Sequence, residues 1–108
     1  MKVIDNTDTA VHVALEDTIA TSKDALWCDL KGEAVILHMS SGVYFGLEGV
    51  GFDVWQLIQT PRTVAEVVAD LRSRFDVSPH ICEERTVSFV DDLAQHNLVV
   101  VTKHAVNE

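Results

Sequence analysis

The chain is poor in the residue types that most often announce a chemistry. It has two cysteines, Cys28 and Cys82, far apart and in no CxxC pair. A disulfide framework or a structural zinc site needs more thiols at closer spacing, so both are read as reduced, partly buried side chains. Five histidines, His12, His38, His80, His96 and His104, are scattered along the chain with no HxxxH pair among them. With only His80 and Cys82 as near neighbours, no metal site and no cofactor are expected. Basic residues are also scarce, 8 Lys and Arg against 17 Asp and Glu, for a formal net charge of −9 in 108 residues. A partner held through phosphates needs clustered Lys and Arg, so nucleic acid is not an expected partner. Long apolar runs are missing: Ala34-Val35-Ile36-Leu37 is far short of the roughly 20 residues of a membrane helix, and no membrane partner is expected. Met1 to Ala10 holds one Lys, two Asp and no apolar stretch. No export signal is read there, and a cytoplasmic location is expected.

What remains suffices for a core. With 47% hydrophobic and 23% charged residues, residues 1–108 fit a single domain with its core at about 13–101 and loose ends. Val11, Val13 and Leu15 alternate with His12, Ala14 and Glu16 in a short strand-like pattern, and Ile19 to Lys23 continues as irregular strand. Three clearer strands follow at Ala25–Leu30, Glu33–Met39 and Val43–Leu47, joined by Lys31-Gly32 and Ser40-Ser41-Gly42. The run Ala34 to Leu37 suggests burial on both faces of its strand.

From Glu48 the period changes to about 3.6. Val50, Val54, Leu57 and Ile58 mark a first helix with a poor N-cap at Glu48-Gly49, stopped by Thr60-Pro61. Thr63 and Glu66 form a capping box for a second helix carrying Val64, Val67, Val68, Leu71 and Phe75. Ser78-Pro79 opens a third that runs to His96-Asn97. Leu98 to Val101 is a β-like tail that adds a strand either in cis or in a dimer. The expected class is α+β, a three-stranded antiparallel sheet followed by three helices in a winged helix-turn-helix-like outline.

No catalytic constellation emerges. Neither cysteine has a histidine placed beside it by any motif, as a nucleophile would need. Glu83-Glu84 and Asp91-Asp92 are helix neighbours that point about 100° apart and cannot converge on a substrate. Gly42, Gly46, Gly49 and Gly51 surround a strand-to-helix junction, but no GxxxxGK[ST] spacing is present. The winged-helix outline is compatible with DNA, whereas the third helix is not. Arg85 against Glu83, Glu84, Asp91 and Asp92 leaves it a formal −3, which a duplex would repel. Peptide binding fits better. Val43–Leu47 is a candidate edge strand with free backbone groups. The apolar face of the third helix spans roughly 160°, broad enough to line a groove on either its Cys82–Phe89 or its Val87–Ala94 border.

The stretch Gly32 to Gly51, above all Ser41-Gly42-Val43-Tyr44-Phe45-Gly46-Leu47 leading to Val50-Gly51 and Trp55, resembles the PqqD-like family. So do Pro61 to Val67 and the last helix through Phe89, Leu93 and Leu98. Glu48 departs from the family pattern, which has Asn there. The resemblance covers about 13–101. It implies a non-catalytic RiPP recognition element that binds the leader segment of a ribosomally made precursor peptide and presents it to a leader peptidase or other modifying enzyme. It also implies that the leader adds as a strand beside Val43, Tyr44, Phe45, Gly46 and Leu47 and packs on the third helix. Phe89 is the expected pocket wall, with Cys82, Arg85, Thr86 and Leu93 on the same helix. The segment resembles the stand-alone partner of lasso-peptide maturation more than the peptide chaperone that serves a radical enzyme in pyrroloquinoline quinone synthesis. An acidic protein–protein adaptor is the alternative outside the family.

Overall fold

The computed structural model describes residues 12–104. The loose ends expected at residues 1–10 and 105–108 lie outside them, as does Val11. Two three-stranded antiparallel sheets and three helices make up the α+β fold. β1 (Thr18–Thr21) belongs to the first sheet, while β2 (Ala25–Asp29), β3 (Ala34–His38) and β4 (Val43–Leu47) form the second in that order. This second sheet is the expected meander, and its turns have local causes. Lys31 and Gly32 both take positive φ, 57° and 84°, and Asp29 Oδ1 accepts from the Gly32 N–H at 2.9 Å. Leu30 and Glu33 then exchange backbone hydrogen bonds of 2.8 and 3.3 Å across the turn. Gly42, at φ 73°, turns the chain into β4.

Burial on both faces of β3 is not what forms. Ala34 and Ile36 are fully buried, but Val35 and Leu37 are only half-buried. Helices cover one face of this sheet, the usual arrangement of an antiparallel meander. On the outer face Leu26, Leu37 and Tyr44 stand in cross-strand register, with Leu26 and Tyr44 exposed.

The other sheet has β1 at its centre, flanked by β5 (Arg62–Thr63) and β6 (Val99–Thr102). The apolar tail therefore pairs in cis, with Thr18 opposite Thr102 and Thr21 opposite Val99. The strand expected around Val13 and Leu15 is replaced by a turn, in which the Asp17 N–H donates to the Ala14 carbonyl at 3.0 Å. The Asp17 side chain explains it by accepting the Ala14 N–H at 2.8 Å, which a strand would have spent on a neighbour.

The helices start where their caps dictate. α1 (Val50–Leu57) follows Gly49 at φ 61° with no side-chain cap, as expected from Glu48-Gly49. For α2 (Val64–Arg74), Thr63 Oγ1 accepts from the Glu66 N–H at 3.1 Å and Glu66 Oε1 from the Thr63 N–H at 2.8 Å. α3 (Pro79–Gln95) begins after Ser78, whose hydroxyl accepts from the Ile81 N–H, and ends at Asn97 in the left-handed region, φ 59°. Ile19, Ile36, Trp55, Ile58 and Leu98 are fully buried between the sheets and helices. Each such side chain contributes about 1.5–3 kcal/mol through burial. Trp27 lies edge-on to both Phe52 and Trp55, at 6.4 and 6.3 Å.

Two buried carboxylates pin the first described residues to distant elements. Asp91 of α3 accepts from the Val13 N–H at 2.8 Å and lies 2.6 Å from His12 Nδ1. Asp17 accepts from the backbone of Ala14 and His104 and from Lys103 Nζ. Those backbone donors, then Lys103, lower its pKa from 3.8 to about 2. A depressed carboxylate contributes stability above its unfolded pKa and loses it as pH falls through the folded value. Thermal melts should therefore show stability falling between about pH 4 and pH 2. Asp17→Asn should be less stable than the parent at pH 7 and show a flatter decline over that window.

Candidate functional site

Backbone direction along β3 determines which groups β4 leaves free. Residues of an antiparallel strand direct their N–H and C=O to alternate sides. Glu33 bonds with Leu30, and the Met39 N–H donates to the Asp24 carbonyl at 2.9 Å, so Val35 and Leu37 between them also face β2. Ala34, Ile36 and His38 then face β4, in agreement with the 2.8 Å bond from the Gly42 N–H to the His38 carbonyl. Their register partners Leu47, Phe45 and Val43 pair inward. Tyr44 and Gly46 direct their backbone groups to the open edge, since β4 has no second neighbour among the described residues.

α3 runs beside this edge, and together they wall a groove with two cavities. The larger, about 720 Å³, lies along Val43–Leu47 and against Phe89, Asp92, Leu93 and His96. The smaller, about 580 Å³, lies beyond Phe89, between Leu47, Val54, Leu71 and Phe75 on one side and Cys82, Arg85 and Thr86 on the other. Phe89 and Leu47 line both. The Phe89 ring also packs on α1, where a Cβ at Gly51 would sit 3.1 Å from its Cζ. Glycine at 51 is what lets the ring stand there.

The structure brings all ten expected site residues to this groove. Val43, Tyr44, Phe45, Gly46, Leu47, Phe89 and Leu93 line the first cavity, and Cys82, Arg85 and Thr86 the second. The helix border is the Cys82–Phe89 one. The opposite border, with Val87, faces a third cavity of about 390 Å³ against His12 and Leu15. Tyr44 contributes by position on the edge strand, its ring being exposed and in register with outward-facing Leu37. Asp92, His96 and Gly51 were not among the expected residues. The spacing Arg85, Phe89, Asp92, His96 follows one helical stripe and was the signal available for two of them.

The first cavity carries polar groups along its helix side, at Asp92, His96 and Asn97, and at its end near Val43. There His38 Nε2 lies 3.2 Å from Asp24 and its Nδ1 2.8 Å from the Ser41 hydroxyl. The Ser40 side chain, then its N–H at 3.2 Å and the His38 charge, hold the Asp24 carboxyl below the ordinary range. His96 lies edge-on to Phe45, ring centres 5.1 Å apart. Among the described residues no group of three or more His, Cys, Asp or Glu is placed to hold a metal ion. Cys28 is exposed and Cys82 buried. This arrangement offers backbone donors and acceptors, apolar walls and few reactive groups, which suits holding an extended chain.

A small α+β domain with an open sheet edge beside a helix is the class these features define. The family model for Coenzyme PQQ synthesis protein D (PqqD) matches residues 33–99, and the chain belongs to that family. Two solved structures share the fold. "TbiB1 in Complex with the TbiA(beta) Leader Peptide" is 26% identical, with a TM-score of 0.71 over 81% of this chain and 99% of that one. "Lasso peptide synthetase B1 complexed with the leader peptide" is 18% identical, with a TM-score of 0.69 over 76% of this chain and 96% of that one. A search of curated proteins finds no match.

The edge assignment separates two proline substitutions. Phe45→Pro removes an N–H that pairs within the sheet and should cost about 1–3 kcal/mol in urea unfolding. Tyr44→Pro removes one that faces solvent, and its unfolding midpoint should fall far less.

Proposed function

We propose that this protein is a non-catalytic recognition domain for the leader segment of a ribosomally made precursor peptide. The leader adds to the open edge of β4 as a further strand, bonding to the backbone of Tyr44 and Gly46. Its alternate side chains enter the cavities on either side of Phe89, so main-chain bonds give affinity and the cavities give selectivity. The domain then presents the leader to a leader peptidase or another modifying enzyme, and it acts in the cytoplasm, where such precursors are made. The observation that carries this reading is the groove itself, walled by the open edge of β4 and one flank of α3. The solved structure at 26% identity, a complex with a leader peptide, supports it, and the Gly42–Leu47 segment favours lasso-peptide maturation. The family description supports a second reading, service to a radical enzyme in pyrroloquinoline quinone synthesis.

Titration of the purified protein with fluorescein-labelled leader peptides encoded beside its own gene tests the proposal. Binding in the micromolar range or tighter is expected. Affinities weaker than about 100 μM (~5.5 kcal/mol) for every such peptide would sink it. Phe89→Ala merges the two cavities and should lower both stability, by about 2 kcal/mol or more, and peptide affinity. Affinity should be compared at a temperature where circular dichroism shows the variant folded. Unchanged affinity in the folded variant would remove Phe89 from the site.

A further inference from the structure

In the larger cavity one side chain is an acidic group with no role in holding an extended apolar segment. Asp92 lies half-buried on the groove-facing stripe of α3, between Phe89 and His96 in the larger cavity. Among the described residues no hydrogen bond or ion pair engages its carboxylate. No Lys or Arg lines that cavity. His96 Nδ1 lies 2.9 Å from the Asp92 main-chain carbonyl. A carbonyl only accepts, so Nδ1 donates to it and Nε2 is left for other partners. The Phe45 ring, edge-on to His96, adds a π face. A carboxylate, an imidazole and an aromatic ring thus stand together, and among the described residues no Lys or Arg lines the cavity beside Asp92.

A guest strand on β4 would roof this part of the groove. It would strip water from the Asp92 carboxylate, a cost that stands unless the guest supplies a donor or a positive charge. We propose that the larger cavity takes a Lys or Arg side chain of the bound segment, and that Asp92 is the residue selecting it. The inference rests on the peptide-binding reading above. It names a chemical requirement that reading lacks: a cationic residue whose side chain enters the same groove as the apolar anchor beside Phe89. Selection works in both directions, since an apolar or acidic residue at that position leaves a buried carboxylate unpaired or repelled.

The test uses the full chain and an array of random twelve-residue peptides in which one position at a time is fixed as Lys, Arg, Gln or Glu. The parent protein should prefer Lys or Arg at one spacing from an apolar anchor, by about tenfold over Gln. Asp92→Asn, which disturbs no recorded contact of the side chain, should bind the Gln and Lys peptides alike. Asp92→Lys should prefer Glu at that same spacing. Thermal melts check that both variants fold as the parent does. Binding without charge preference, or a preference that survives in Asp92→Asn, overturns the assignment of Asp92 and leaves the groove as a peptide site. Absence of binding by any peptide overturns the peptide-binding reading on which the assignment stands.

Discussion

The alternation of backbone direction along β3 is the constraint on which the rest depends. β3 has two neighbours, and its residues divide their hydrogen bonds between them in strict turn. Once the Leu30–Glu33 turn sets which residues face β2, the inward pairing of Val43, Phe45 and Leu47 follows. So does the exposure of the Tyr44 and Gly46 backbone groups. An edge of this kind is a hazard for a soluble domain, since any extended chain can add to it. Here it is short, and α3 stands along it, so a chain that adds must also fit the helix.

α3 is shared among three tasks. Its innermost side chain, Val90, is fully buried in the core, and Thr86 and Leu93 are buried between the core and the groove they line. One flank, through Asp91, holds His12 and Val13. The other, through Cys82, Arg85, Phe89, Asp92 and His96, forms the groove. The broad apolar arc that looked excessive for a core helix is explained by this division. Its acidic residues divide in the same way, with Asp91 buried against backbone donors and Asp92 turned to the groove.

Features with local causes were legible before any coordinates. The Thr63–Glu66 box, the Ser78-Pro79 start, the left-handed Asn97 and the Lys31-Gly32 turn each arise within a few residues, and each formed as read. The β4 segment was legible as a short strand between turns, and helical spacing marked both borders of α3, while Phe89 itself was singled out by the family resemblance. What escaped depends on partners far along the chain. The β1–β6 ladder joins residues about eighty positions apart in sequence, and β5 is two residues long, too short to have a period. The turn at Ala14–Asp17 displaced an expected strand because the Asp17 carboxylate found Ala14, Lys103 and His104 together. Which border of α3 meets β4 is likewise a docking angle, and periodicity carries no information about it.

The contact between Phe89 and Gly51 has a consequence for how this groove can change over time. One ring walls both cavities, and it rests over Gly51 of a different helix, where a Cβ would press on it at 3.1 Å. A substitution that reshapes the smaller cavity by moving that ring reshapes the larger one in the same step. Selectivity at the two ends of a bound segment is thus coupled through the ring at 89, and a side chain gained at 51 would act on both ends at once.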